Sequence, residues 1–541
     1  MRLRRPSVSA LCFPLAALSA LACNDSNPSY PAIIIYGNPD GVGAGNDTGS
    51  GNSPGSGNSP GSGNSSSSGG SGNPNAGNGG TTGNDLYAHC SEFLSGQDPP
   101  FQTVKECDID TLPDAGELSG DVTADKTLKS GNAYRLKGSV RVMPGVTLTI
   151  EPCVKIVGEA PDSVLAVMPG EKGTPGKQCH FDSGKPGPGG KLMAVGEPMA
   201  PIVFTSAKPK GTRAASDWGG VILMGNGFNN LAVSDDGVSG TRPFIEGLSN
   251  RECFGWFTDE FNGESSGKLE YVRIEYASRK LSADNETNGL TLGALGSGTE
   301  LHYVEVSNSG DDCFEWFGGA VNGDHLIALN CDDDGFDGDN GFSGKLQFLF
   351  GRQAPTTTEI DSRGFEIDGS PSDFTTPFTS EQVSNFTVCG GGATDSNKSR
   401  DGVILRKDAS VTMKNGIVTG FAGAGMMVQA PPQAASDKSS MSYVNVFGNV
   451  GGLSTDVDAS NGSSVGVPSS WFLSQTGNSA AEPDRFCNCW SNPPAPVAAT
   501  AATGDTPSGF ADETANYVGA FKDPSPASNW MRGAWVDWSA N

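Results

Sequence analysis

Residues 301–350 read LHYVEVSNSGDDCFEWFGGAVNGDHLIALNCDDDGFDGDNGFSGKLQFLF, and the way this stretch repeats itself decides the fold. A strand of mixed character, LHYVEV at 301–306, is followed by a second strand, CFEWFG at 313–318. The pair returns as DHLIAL at 324–329 and GFDGDN at 335–340, and KLQFLF at 345–350 opens a third turn. LHYVEV and DHLIAL begin 23 residues apart, and CFEWFG and GFDGDN 22. Such a period, with β-rich units and no helical periodicity, indicates a solenoid whose units bury their apolar faces only by stacking.

The series extends in both directions. LEYVRI (269–274) and GLTLG (289–293) precede it; GFEIDG (364–369), VSNFTV (383–388), GVILRK (402–407), VTMKNG (411–416) and MSYVNV (441–446) follow. Farther upstream, GSVRVMPGVTLTIEPCVKIVG (138–158) and GGKLMAVGEPMAPIVFTS (189–206) alternate apolar and polar residues around tight corners. Neither a propeller signature nor regular leucine spacing is present. The fold class read from this pattern is all-β, a right-handed parallel β-helix with an irregular C-terminal cap and an N-terminal tether. Leu290, Phe314, Phe336, Phe365 and Val403 align as one inward column, with glycines at the corners. Stacked strands lie about 4.8 Å apart, so the alignment predicts a salt bridge between Arg273 and Glu305 and a stack of Tyr271 on Tyr303. It also places His302 and His325 in one column, flanked by Glu270 and Gln347, as a satisfied strand-edge ladder or, alternatively, a metal site.

The ends differ from the ladder. Arg2, Arg4 and Arg5 precede an apolar run from Ala10 to Ala22, too short to span a bilayer, which reads as a signal peptide over 1–22. It ends in small residues before Cys23, resembling the lipobox of bacterial lipoproteins, so Cys23 is the expected lipidation site. Residues 23–84 form a linker that holds 17 of the 76 glycines between 37 and 84 and has nothing to bury. An N-terminal cap is expected over 85–125, the β-helix over 126–450 and a C-terminal cap over 451–541. In that last segment Tyr517, Phe521, Trp530 and Trp535 read as packing residues, with a carbohydrate-binding aromatic platform as the alternative. Anchor and tether together predict export and an outer-membrane, cell-surface location, with the lipid bilayer as a partner.

A formal charge of −26 argues against nucleic acid as a partner. Ten cysteines remain after Cys12 and Cys23, and an even number in an exported chain reads as disulfides. Cys90–Cys107 and Cys153–Cys179 are the local pairings expected; Cys487 and Cys489 read as structural rather than as a redox or metal pair.

The chemistry concentrates in carboxylates. Asp311 and Asp312, then Asp332, Asp333 and Asp334, then Asp337, Asp339, Glu366 and Asp368 fall on second strands and their corners. Glu315, Asp337 and Glu366 align in one outward column, where stacked like charges need a cation, a bridging base or a raised pKa. Oxygen donors without Cys or His favour Ca²⁺ over zinc. The candidate Ca²⁺ ligands are Asp312, Glu315, Asp333, Asp334, Asp337, Asp339, Glu366 and Asp368, the alternative being a solvated acidic face.

The combination DWGGVILMG (217–225), IEG (245–247), LEYVRIEYA (269–277), NGLTLGALGSGT (288–299), DDCFEWFGGAVN (311–322), GFSGKLQF (341–348) and the YVGAF…W…GAW tail (517–535) resembles a largely uncharacterised family of bacterial β-helix surface lipoproteins that includes leptospiral outer-membrane lipoproteins. The resemblance implies a pectin-lyase-like fold on a surface lipoprotein and brings no catalytic residues. Ser309-Gly310-Asp311-Asp312-Cys313 also resembles the Gly-Asp-Asp element of polygalacturonases, but their Gly-His-Gly and Arg-Ile-Lys elements are missing. The expected function is non-catalytic, Ca²⁺-assisted binding of a glycan, a matrix component or another surface protein. The alternative is a polysaccharide hydrolase or lyase using Asp312 and Asp337, with Arg363, Arg400 or Arg406 as a lyase base.

Overall fold

The computed structural model describes residues 107–538 apart from several internal segments, the longest being 454–468 and 490–502. The expected signal peptide and linker, with Cys23, Cys90, Arg400 and Cys487, lie outside the described residues. No described helix is long and apolar enough to cross a membrane.

The chain winds as a parallel β-helix with three sheets. One is a stack of short strands: Val164–Val167, Val221–Met224, Leu290–Leu295, Phe314–Gly319, Phe336–Asp339, Phe365–Asp368, Val403–Arg406 and Met426–Gln429, paired in parallel. The other two are made by long strands that bend in the middle, among them Gly267–Glu275, Glu300–Ser307, Asn322–Leu329, Lys345–Arg352 and Gln382–Cys389. Their first halves form the second sheet and their second halves the third.

Each bend rests on one residue with a left-handed backbone: Tyr271, Tyr303, His325, Phe348, Asn385, Asn415 and Tyr443, at φ between 52° and 59°. An L-residue there costs on the order of 1 kcal/mol, and the column offsets that cost with side-chain contacts. Tyr271 stacks on Tyr303 with centroids 4.5 Å apart, as the alignment predicts, and Tyr303 stacks on His325 at 4.2 Å. His325 therefore belongs to the bend column. The expected His302–His325 column is wrong by one residue, because Gly323 occupies the inward position that Leu301 fills one turn earlier. His302 pairs in register with Asp324, which follows Glu270 and precedes Gln347. The Asp324 carboxylate accepts hydrogen bonds from both rings, at 2.7 Å from His302 and 2.6 Å from His325.

The inward column runs Leu290, Phe314, Phe336, Phe365, Val403 in register, all at most 2% exposed. Phe314, Phe336 and Phe365 stack with centroids 5.5 and 5.1 Å apart. At the corner before these strands the turns approach so closely that a Cβ on Gly364 or Gly402 would lie 2.6 or 2.5 Å from the next turn's carbonyl oxygen. Arg273 and Glu305 are in register as expected, yet they do not form the predicted salt bridge. Arg273 bonds Glu275 on its own strand at 2.8 and 2.9 Å, and Glu305 Oε2 instead accepts the backbone N–H of Asp537 at 2.8 Å.

One described disulfide joins neighbouring turns 18 residues apart, and the other three span 46, 74 and 100 residues. Cys107 bonds Cys153 and Cys179 bonds Cys253, which overturns both local pairings; Cys313–Cys331 and Cys389–Cys489 complete the described set. Tight corners separate sequence neighbours while stacking brings together residues a turn or more apart.

The described C-terminal residues do two things. Ser469–Ser474 forms a short helix whose Phe472 enters the main core, and Thr476 and Ser479 accept N–H groups from the last long strand, covering its edge. Residues 503–522 and 528–538 instead run along the flank, as a strap on the third sheet. Phe521, Met531, Trp535 and Val536 bury themselves against Ile327, Leu329 and Phe350, which face outward from that sheet. Trp535 is fully buried and Trp530 half-buried against His325, so these aromatics pack and present no open platform.

Candidate functional site

The acidic column lies on the outer face of the first sheet. Thr291, Glu315, Asp337, Glu366 and Ile404 follow one another in register, and Asp339 stands in the neighbouring column beside Phe317. Alternation on a strand sends these side chains outward while Phe314, Trp316 and Phe336 point into the core. The corner residues Asp311, Asp312, Asp333 and Asp334 converge on the same place from the turns before Phe314 and Phe336. Carboxylate oxygens fall within 4.8 Å of one another in three overlapping groups: Asp311, Asp312 and Asp333; Asp312, Glu315 and Asp337; Asp334, Asp337 and Glu366.

This is not the solvated acidic face that the sequence leaves open. Asp312, Glu315, Asp334, Glu366 and Asp368 are all less than 9% exposed. Part of the cover is an excursion of the chain over 226–264 that lies across the first sheet. Ile245 and Phe254 pack on Ala294 and Phe317, and Asn230 reaches the carbonyls of Gly369 and Pro377. The excursion also contributes Glu246, which sequence reasoning does not select. Its carboxylate meets Asn288, the residue whose side-chain amide also donates to Glu315. Only the IEG motif at 245–247 marks this position, and nothing in its spacing ties it to a turn nearly seventy residues later.

The column divides electrostatically. At one end Arg363 bonds Glu366 at 2.6 Å; Arg406 bonds Glu366 and, at 2.6 Å, Asp368; Lys407 bonds Asp368 at 2.6 Å. Those carboxylates already have cations. At the other end burial pushes Asp312, Glu315 and Asp337 well above the ordinary carboxylate range, and neighbouring negative charge adds to it: Asp337 and Asp311 act on Asp312, Glu246 and Asp337 on Glu315, Asp334 and Asp368 on Asp337. Burial likewise lifts Glu246 to about 8 and Asp339 to about 7. Asp337 Oδ1 is buried without a hydrogen-bond partner. Hard oxygen donors, surplus negative charge and an orphaned carboxylate oxygen fit a divalent cation of the Ca²⁺ type. Asp312, Glu315 and Asp337 are the residues that would hold it, with Asp311 and Asp333 beside them. Asp339 instead accepts the Asn340 N–H at 2.5 Å, and Asp334 accepts the backbone N–H of Arg363.

Residues 120–490 match the family described as the pectate-lyase-like β-helix domain. Among solved structures, pectate lyase Pel9A aligns at 13% identity over 71% of this chain and 89% of that one, with a TM-score of 0.29. The Dettilon tailspike protein aligns at 12% identity over 67% of this chain and 61% of that one, with a TM-score of 0.17. No curated protein matches the chain. The family match covers most of the sequence and coincides with the stacked parallel strands, so this chain belongs to the pectate-lyase-like β-helix domain family.

Proposed function

We propose that the protein is a surface-anchored β-helix that binds an acidic glycan through a divalent cation, of the Ca²⁺ type, held by Asp312, Glu315 and Asp337, without cleaving it. The observation that carries this reading is the uncompensated half of the acidic column, where the buried Asp312 and Glu315 and the partly exposed Asp337 converge with no basic side chain bonded to them among the described residues. A bound cation would neutralise the group and leave coordination positions for carboxylates of a polyuronate. Asp311, Asp333 and Asp337 keep partial exposure, which gives a ligand an approach along that edge. Cys23 carries the lipid and residues 37–84 hold the body away from the membrane.

Direct titration with CaCl₂ and retention on polygalacturonate, each with and without EDTA, test the reading. Ca²⁺-dependent retention that Asp337→Asn abolishes is the expected result. Retention indifferent to EDTA, or no Ca²⁺ binding, overturns it. Incorporation of labelled palmitate that Cys23→Ser removes tests the anchor.

A specific observation favours a second reading, polysaccharide cleavage. Arg363 and Arg406 stand beside the carboxylate group of Asp334, Asp337 and Glu366, where a lyase would keep its base. Both guanidiniums are engaged by carboxylates, which leaves neither free to face a substrate and opposes that role. Release of reducing ends from polygalacturonate, lost in Asp312→Ala and Asp337→Ala, would establish cleavage in place of simple binding.

A further inference from the structure

A second concavity, of about 210 Å³, opens on the third sheet, away from the acidic column. Its floor is the outward face of three stacked strands, Val154–Gly158, Ile202–Ser206 and Gly267–Glu275. Lys155, Val203 and Arg273 form one column there, and Thr205 and Glu275 stand two residues further along their strands. Lys210 and Arg213 come from the loop after Ser206. Asp110 closes one side, and the strap covers another with Ala534, Val536 and Asp537.

The lining holds four cations against three carboxylates in a chain whose net charge is −26. Those charges are not evenly matched. Arg273 is held by Glu275 and by the Ala534 carbonyl at 2.8 Å, with Asp537 at 3.6 Å. Arg213 bonds the Lys208 carbonyl and lies 3.8 Å from Glu275. The two lysines differ. Lys155 is half-buried, and its ammonium makes one hydrogen bond, a long one of 3.5 Å to the Asp110 carbonyl. Burial lowers its pKa against the attraction of Asp110, so the group lacks full compensation. Lys210 has no carboxylate in ion-pair contact among the described residues. On the floor, Thr205 is 1% exposed and its Oγ1 has no hydrogen-bond partner. A buried hydroxyl without a partner is costly, and here it sits with two lysines that no carboxylate touches in ion-pair contact among the described residues.

We infer that this pocket binds a compact oxyanion, a carboxylate or phosphate on a body of about one sugar ring, with Lys155 and Lys210 meeting its charge and Thr205 Oγ1 donating to one of its oxygens. The volume is below the roughly 300 Å³ at which pockets for larger organic ligands begin, which excludes a polymer threaded through it. Because the roof is the strap and the floor is the sheet, an occupant would also tie the two together.

Calorimetric titration of the full chain with galacturonate, galactose and inorganic phosphate in low salt, with and without EDTA, tests this, alongside Lys155→Gln and Thr205→Val. Galacturonate or phosphate should bind while galactose does not. Lys155→Gln should weaken that binding about tenfold or more, as loss of a charge-assisted hydrogen bond does, and Thr205→Val by a few-fold. EDTA should leave it unchanged, since no cation is needed at this pocket. Thermal melts establish that the variants are folded, and Thr205→Val, nearly isosteric, keeps the test sound if Lys155→Gln is not. Equal binding of galactose and galacturonate, absence of anion binding, or anion binding unmoved by folded variants at both positions overturns the inference. So does loss of galacturonate binding in EDTA, which would assign it to the acidic column.

Discussion

Replacing Asp337 by Asn should stabilise the metal-free protein and at the same time remove its response to Ca²⁺. Asp337 shares a carboxylate group with Asp312 and Glu315 whose oxygens lie within 4.8 Å of one another. At that distance and an effective dielectric near 20, each fully ionised pair repels by about 3.5 kcal/mol. Two such pairs set a ceiling of about 7 kcal/mol, and solvent screening at the partly exposed Asp337 reduces this to about 3. Unfolding entropy of about 2.1 cal/mol/K per residue over roughly 400 folding residues converts each kcal/mol into about 1 °C. In EDTA at pH 8, calorimetry should therefore find the variant melting about 3 °C above the wild type. The wild type should recover about 2.7 kcal/mol with Ca²⁺ at a hundred times its dissociation constant, a similar rise, while the variant gains little. At pH 5 in EDTA the difference should shrink. A carboxyl whose folded pKa is raised holds its proton there, and the stability it contributes is lost as pH climbs from about 4 toward the folded value. Glu246 near 8 and Asp339 near 7 extend that loss through neutrality. An Asp337→Asn variant that melts below the wild type in EDTA at pH 8, or that gains as much from Ca²⁺, refutes the reasoning.

Trp535→Ala should loosen the strap: the ring is fully buried, with edge contacts to Tyr271 and Tyr303 at 5.9 and 5.5 Å. A loss of about 3–5 kcal/mol is expected, read as faster proteolysis within 503–538, and an unchanged cleavage pattern would contradict the packing. Asp324→Asn should destabilise from both directions of pH. Burial raises the Asp324 pKa, but hydrogen bonds from His302 and His325 outweigh it and hold the group at about 2, so its contribution is present above about pH 4 and lost on acidification toward 2. The same hydrogen bond raises the His302 pKa, and that contribution is present below about pH 6.5 and lost as pH rises through the folded value. Stability of the wild type minus that of the variant, measured from pH 3 to 9, should be greatest between those limits; a flat difference would show that the three groups are not coupled.

The stacking is legible in the sequence because each turn repeats the same apolar position, and Phe314, Phe336 and Phe365 need no partner beyond the next repeat. The same alignment places Glu315, Asp337 and Glu366 together, since outward residues obey the register of the inward ones. It fails where the repeat slips: Gly323 offers no side chain to mark the inward position, so the alignment sets His325 one place out and overlooks Asp324, the acceptor of both histidines. Disulfide pairing fails for a related reason. Proximity in a solenoid is measured in turns, and Cys179 meets Cys253 because the excursion over 226–264 folds back across the first sheet.

That excursion also explains why charge count alone does not distinguish a site from a surface. An exposed ladder of carboxylates loses most of its mutual repulsion to water and salt. Once Ile245 and Phe254 cover the sheet beside it and Glu246 joins it, the same residues sit in a lower dielectric, and a further negative charge is added. Arg363, Arg406 and Lys407 then compensate only the Glu366–Asp368 end. The segment that creates this asymmetry repeats nothing and carries only the IEG motif, so its effect on Glu315 and Asp312 follows from its position over the sheet and not from its composition. Cover and column must therefore be tested together: Glu246→Gln should lower the raised pKa of Glu315 and weaken Ca²⁺ binding less than Asp337→Asn does, because Glu246 adds charge to the group without belonging to the converging set of oxygens.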